Sequence, residues 1–184
     1  MATMAYWQSR GLRGSTLEEM VNLTNERYME HGLACIEKIP TPIKPIQLGK
    51  EKGTITLAYF EKKGSVDYIG VIQGYPVAFD AKETGREHFP LKNIHDHQMT
   101  YMRAFEKQKG IAFIIVYFTN KDELYLLPFK QLDVFWQKAS EGGRKSIPYS
   151  DFSKDLKIVA KSGYMVHYLE ALAKYMEDGG GAYE

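Results

Sequence analysis

Hydrophobic and polar positions alternate along this chain with two different periods, and the switches between them mark out its elements. Thr16-Leu17-Glu18-Glu19 reads as a capping box, with Thr16 as the N-cap and Glu19 reaching back, and the helix it opens stops at Gly32. Leu33 to Ile39 reads as a strand, after which Pro40, Pro42 and Pro45 forbid a regular element. Thr54 to Phe60 returns to strand-type alternation. Residues 40–63 are therefore predicted to project from the sheet as an arm. Val66 to Ile72 and Tyr75 to Lys82 are strand-like runs with only Gln73-Gly74 between them, which is the length of a hairpin link.

Asn93 to Lys109 carries apolar residues at Ile94, Met99, Met102 and Phe105 with Gly110 behind them, as a helix packed on one face would. Ile111 to Phe118 is almost continuously apolar, the pattern of a central strand covered on both faces. A short strand at Glu123 to Leu127, a helix at Phe129 to Ala139, an exposed basic loop at Glu141 to Ser146 and a last helix at Tyr164 to Met176 complete the order. A flexible tail is expected from about residue 178 to 184. The sequence of helices and strands predicts a mixed α/β fold, a central mixed sheet flanked by helices, in one domain of 184 residues.

Composition supports a packed core, with 44% hydrophobic and 26% charged residues. The lone Cys35 excludes an intrachain disulfide and a cysteine-rich zinc ribbon, and its apolar neighbours predict a buried thiol. No run approaches a membrane span and no signal-peptide core opens the chain, so a cytoplasmic protein without a membrane partner is expected. The net charge of +1 hides an uneven distribution. Residues 1–15 hold Arg10 and Arg13 with no acid, residues 37–63 hold six Lys against three Glu, and residues 138–161 hold six Lys or Arg against three acids. Arg10, Arg13, Lys44, Lys50, Lys52, Arg144 and Lys145 are the candidate contacts to a polyanion such as DNA.

Candidate chemistry centres on the predicted hairpin. Residues two apart on a strand share a face, so Asp80 and Lys82 project together, and Asp67 on the preceding strand comes within cross-strand reach of them. Two carboxylates at contact distance repel unless a cation neutralises them, and oxygen ligands of this kind suit Mg2+ or Mn2+. Such a cation and a nearby lysine can stabilise the charge that develops when water cleaves a phosphodiester. Asp67, Asp80 and Lys82 are the candidate catalytic residues, Asp67 and Asp80 the candidate metal ligands, and Glu18 on the first helix a further candidate for both roles. Gln98, on one helix face with Tyr101, is a candidate water or phosphate contact. The plain alternative is a cross-strand ion pair on a solvated sheet face. His95 and His97, two apart on a helix, point about 200° from each other and should not chelate one ion, so phosphate contact or helix capping is expected of them.

The run Val66-Asp67 … Asp80-Ala81-Lys82 resembles the PD-(D/E)xK nuclease motif. More specific are Arg10-Gly11 … Thr16-Leu17-Glu18, Lys38-Ile-Pro-Thr-Pro42, Asp67-Tyr-Ile-Gly70, Ala81-Lys-Glu-Thr84, Phe89-Pro-Leu-Lys92, His95-Asp-His-Gln98 and Gly142-Gly-Arg-Lys-Ser-Ile147. Together, over roughly residues 10 to 150, they resemble the RecU family of bacterial and phage Holliday junction resolvases. The resemblance implies a restriction-endonuclease-like core and a homodimer that nicks two strands of a four-way DNA junction symmetrically with Mg2+, Mn2+ substituting. It also implies a stalk at the junction centre, here residues 40–63, recombinase or branch-migration partners, and a nucleoid-associated cytoplasmic location. Asp67, Asp80 and Lys82 carry over as catalytic and Glu18 as a further metal or water ligand, while Asp80 stands where Glu is commoner. The alternatives are another PD-(D/E)xK nuclease of phage or restriction type and a non-catalytic junction-binding protein.

Overall fold

The computed structural model describes residues 16–60 and 65–180. Their strands are β1 (Ala34–Lys38), β2 (Ile43–Leu48), β3 (Ile55–Phe60), β4 (Tyr68–Ile72), β5 (Tyr75–Thr84), β6 (His88–Pro90), β7 (Ile111–Phe118), β8 (Glu123–Pro128), β9 (Ser146–Pro148) and β10 (Lys157–Ile158). The α-helices are α1 (Thr16–Glu30), α2 (Asp96–Lys107), α3 (Phe129–Ser140) and α4 (Tyr168–Tyr175). Six strands form a mixed sheet in the order β1-β4-β5-β7-β8-β10. β5 and β7 are parallel, Val77 facing Ile111 through to Thr84 facing Phe118, because α2 carries the chain back across the sheet between them. The other neighbours in this sheet are antiparallel.

Two hydrophobic layers sandwich the sheet, and the two-residue period of β5 assigns its side chains to them. Val77, Phe79 and Ala81 join Leu17, Val21 and Tyr28 of α1 and Tyr168, Ala171 and Leu172 of α4. Ala78 joins Ile114 and Val116 of β7 with Met99 and Met102 of α2 and Leu132 of α3. Phe79 stacks between Tyr68 and Phe113, with ring centroids 4.8 and 4.7 Å away. On the α2 side the next two inward positions of β5 are Asp80 and Lys82, so a buried strand presents charge where its neighbours present alkyl groups.

The hairpin link is as expected. Ile72 pairs with Tyr75, and Gln73 and Gly74 both take positive φ, 49° and 91°, as a two-residue primed turn requires. Other expectations change. Residues 40–63 contain a regular element after all: β2 and β3 form a separate two-stranded ribbon whose register shifts between Pro45 and Gln47. Each strand of a two-stranded ribbon is an edge, so Pro45 can be accommodated without losing an interior ladder bond. Ile43, Ile46, Leu48, Ile55, Leu57 and Tyr59 are all exposed on it. Cys35 is exposed, not buried, because on edge strand β1 it is Ala34 and Ile36 that face inward.

The helix expected from Asn93 begins at Asp96, since Leu91–Asn93 forms a separate 3-10 turn and His95 is extended. The last helix begins at Tyr168, because Lys161 to Tyr164 closes a tight turn with Ser162 and Gly163 at φ 53° and 84°. The short pairs β6–β9 and β8–β10 had no periodic signal. Asp178 falls in a π-type turn, Met176–Gly180, that continues α4, and residues 181–184 lie outside the described residues.

Candidate active site

β4 and β5 place the acids. Tyr68 pairs with Phe79, and extending that register sets Asp67 across from Asp80 at the point where β4 begins and β5 runs on paired with β7 alone. The Asp67 backbone N–H donates to Asp80 Oδ1 at 2.6 Å. Lys82 Nζ stands 3.1 Å from Asp80 Oδ2 and 3.3 Å from Asp67 Oδ2. From α2, Gln98 Nε2 donates to Asp80 Oδ2, while Gln98 Oε1 accepts the His95 backbone N–H at 3.0 Å. Asp80 is 0% exposed.

Burial governs the electrostatics. Removal from water pushes the Asp80 carboxyl up from 3.8 to about 6, against the stabilising charge of Lys82, and the Asp67 charge adds to the rise. Burial also works against the Lys82 ammonium, but Asp80 and Asp67 outweigh it and hold Lys82 above the ordinary lysine value. Lys82 is therefore a fixed cation at neutral pH, suited to meeting phosphate charge and unsuited to taking a proton. Two adjacent carboxylates with one ammonium between them, one of them fully buried and reluctant to ionise, make an oxygen-donor set that fits a hard divalent cation. Asp67 and Asp80 would hold it.

Glu18 stands apart from this group. Its carboxylate is ion-paired with Lys38 Nζ at 2.5 Å, and its backbone carbonyl accepts from the Tyr68 hydroxyl at 3.3 Å. Tyr68 OH also donates to Asn22 Oδ1 at 2.9 Å. Among the described residues no three His, Cys, Asp or Glu side chains converge as a metal cage. Burial first, then the charges of Glu18, Asp67 and Asp80, raise the Tyr68 pKa and keep its hydroxyl protonated. Glu83, the residue after Lys82, takes the opposite face of β5, where burial raises its pKa and a hydrogen bond from the Leu17 backbone lowers it.

Sequence spacing left the role of Gln98 as a water or phosphate contact; the structure gives it a direct bond to the buried acid. Tyr101 packs with Phe105 against the α2 core, ring centroids 6.0 Å apart. His95 and His97 do not diverge: His95 is the N-cap, outside the helix, and the two rings stack at 5.3 Å. Lys38 was missed as a neighbour of the site, although its string ends β1 at the level of Asp67, where Ile39 N–H donates to the Asp67 carbonyl at 2.8 Å. Lys44 is on the exposed β2–β3 ribbon, Lys50 and Lys52 in its connecting turn, and Arg144 and Lys145 are exposed ahead of β9. Arg10 and Arg13 lie outside the described residues.

A mixed sheet flanked by helices, with two acids and a lysine meeting where a strand hairpin opens, has the architecture of the restriction-endonuclease-like class. Within that class the family is specific. Residues 12–174 match the family model RecU, Recombination protein U. The chain is 44% identical over 148 residues to a Holliday junction resolvase RecU of Geobacillus sp. (strain WCH70), covering 78% of this chain and 74% of that protein. It is 40% identical over 173 residues to one of Pediococcus pentosaceus, covering 91% and 86%, and 42% identical over 160 residues to one of Limosilactobacillus reuteri, covering 85% and 75%. The chain belongs to the RecU family.

Proposed function

We infer that this protein is a Holliday junction resolvase, an endodeoxyribonuclease that makes paired symmetric nicks in four-way DNA junctions during recombination and repair. The observation that carries the reading is the buried Asp80, bonded to Gln98 and Lys82 and facing Asp67, in a RecU-family chain. Asp67 and Asp80 would hold Mg2+, with Mn2+ substituting, and Glu18 would reach it through water from beside Lys38. A bound divalent ion supplies a water of lowered pKa and charge neutralisation at the phosphate. Asp67 and Asp80 fix the site where that charge is needed, and Gln98 holds the Asp80 carboxylate in one orientation. Lys82, kept protonated by both acids, stabilises the pentacoordinate phosphate as the water oxygen bonds to phosphorus and the phosphorus–oxygen bond to the leaving strand breaks.

One chain supplies one such site, so two symmetric nicks call for a homodimer. The β2–β3 ribbon, carrying Lys44 with Lys50 and Lys52 in its turn, would enter the junction centre as a stalk of a single nuclease domain; Arg10, Arg13, Arg144 and Lys145 would contact the arms. A four-way DNA junction as substrate supports a cytoplasmic, nucleoid-associated location, with recombinase or branch-migration proteins as candidate partners. Among the described residues no helix is long and apolar enough to cross a membrane. The test is incubation of a labelled four-way junction and a linear duplex of the same sequence with wild-type protein, with Mg2+, Mn2+ or chelator. Paired nicks in the junction alone, requiring the metal, are the expected result. Equal cleavage of the duplex would replace the reading by a duplex nuclease of the same class, and metal-supported binding without cleavage would replace it by a non-catalytic junction binder.

A further inference from the structure

Two strings noted in the sequence, Phe89-Pro-Leu-Lys92 and Gly142-Gly-Arg-Lys-Ser-Ile147, take no part in the chemistry above, yet the fold brings them together. They form the antiparallel pair β6–β9, with Phe89 facing Ile147 and Pro90 facing Ser146, and the pairing extends through Leu91 N–H to the Lys145 carbonyl at 3.1 Å. Phe89 and Ile147 are fully buried and anchor the pair in the α2–α3 layer. Lys92 lies in the 3-10 turn between buried Leu91 and Ile94 and is exposed, as are Arg144 and Lys145. Three cations from segments fifty residues apart in sequence thus share one small platform.

That platform adjoins the cleavage site. Thr84 Oγ1 donates to the His88 carbonyl at 3.2 Å, and Asn93 Nδ2 to the Glu83 carbonyl at 3.4 Å, so the turn carrying Lys92 is tied to β5 one residue beyond Lys82. Along the chain the acids lie between the β2–β3 ribbon, which joins β1 to β4, and this platform, which follows β5. Among the described residues none of Lys92, Arg144 and Lys145 is in an ion pair; Arg144 Nε donates only to Ser146 Oγ at 3.0 Å. The acids nearest in the chain, Asp96 and Glu141, form no ion pair with them among the described residues, and Glu87 is occupied by Lys121 at 3.0 Å and Asn120 at 2.9 Å. Three exposed cations in no ion pair among the described residues, on a strand pair anchored by buried Phe89 and Ile147 and tied to the strand that carries Asp80 and Lys82, fit a polyanion backbone.

We propose that Lys92, Arg144 and Lys145 form a phosphate rail that holds the duplex arm entering the cleavage site, distinct from the ribbon that reads the junction centre. The proposal rests on the resolvase reading and adds a division of labour: the rail binds any duplex, and the ribbon selects the junction. The test compares two variants, Lys92→Ala/Arg144→Ala/Lys145→Ala and Lys44→Ala/Lys50→Ala/Lys52→Ala, with wild type. Binding of a four-way junction and a linear duplex is measured by fluorescence anisotropy over a salt series, without divalent metal. Removing the rail should weaken both DNAs by a similar factor, roughly tenfold or more near 0.1 M salt, and flatten the slope of log K against log salt by about 2 to 3. Removing the ribbon cations should weaken the junction selectively. The charge-preserving variant Lys92→Arg/Arg144→Lys/Lys145→Arg should restore the slope, which a lost fold would not allow. An unchanged salt slope in the rail variant, or a loss confined to the junction, would overturn the proposal while leaving the resolvase reading intact. Wild type that binds neither DNA would remove both.

Discussion

Replacing Asp80 by Asn should stabilise the metal-free protein, although it removes a charged group at the centre of the site. Asp80 is fully buried, and burial lifts its pKa from 3.8 to about 6 even with Lys82 3.1 Å away. Because the folded-state value lies above the unfolded one, ionised Asp80 opposes folding above pH 6. That opposition fades as pH falls from 6 towards 4 and is absent below the unfolded value. A rise of this size corresponds to about 3 kcal/mol. Asn matches the shape and neutrality of the protonated acid and keeps an acceptor for the Asp67 N–H; its NH2 replaces the Oδ2 that Gln98 and Lys82 address, so the Gln98 amide has to turn away, while Asp67 remains 3.3 Å from Lys82 as its counter-charge. Lys82 does not alter the sign in this window, since its pKa is raised from an already basic value and it stays charged in both states. In chelator at pH 8, Asp80→Asn should melt roughly 6 to 12 °C above wild type, as about 3 kcal/mol implies for a chain of this length. At pH 4 the two should melt together. Mg2+ should then raise the wild-type melting temperature selectively, by an amount worth about 2.7 kcal/mol at a hundred times its Kd. A lower melting temperature for the Asn variant in chelator at pH 8, or a gap that persists at pH 4, would refute the reasoning.

Further expectations follow from the same geometry. Lys82→Ala should lower single-turnover junction cleavage on the order of 100- to 1000-fold, the usual cost of a transition-state donor, measured by quenched gel assays with binding followed in parallel. Gln98→Ala, which frees an Asp80 oxygen and the His95 N–H, should cost about 10- to 100-fold in metal affinity or cleavage, read by Mg2+ titration of the cleavage rate. Gly70→Ala should destabilise the protein by about 1 to 3 kcal/mol in urea unfolding, because an added Cβ would collide with the Cys35 carbonyl and the Ile36 backbone on the adjoining strand. Tyr28→Phe, which removes a 2.8 Å hydrogen bond to His167 Nδ1 in the core, should cost about 1 kcal/mol in the same assay.

How much of this was readable in the sequence depended on whether the signal was local. The first helix, the β4–β5 hairpin, central β7 and the Asp67, Asp80 and Lys82 grouping rest on capping, turn length and period-two alternation, all properties of adjacent residues. The β2 strand was hidden because three prolines argue against a ladder, an argument that does not hold where both strands are edges. The β6–β9 pair joins segments more than fifty residues apart and has no periodic mark, so neither it nor the platform it builds could be inferred from spacing. Glu18 was the hardest to place. A helix N-terminus can turn a side chain to either side of a strand end, and only the Lys38 partner on β1 fixes which. Gln98 shows the reverse case: its helix face was readable, but the bond to Asp80 needed the register of α2 against β5.

The most direct measurement of the central claim is cleavage of a strand-labelled four-way junction by wild type and by Asp80→Asn at equal junction occupancy, with Mg2+ and with chelator. Wild type should give paired nicks at symmetric positions in Mg2+ and none in chelator, while Asp80→Asn should bind the junction as well as wild type and leave it intact. Nicking by Asp80→Asn at the wild-type rate, or by wild type in chelator, would contradict the account.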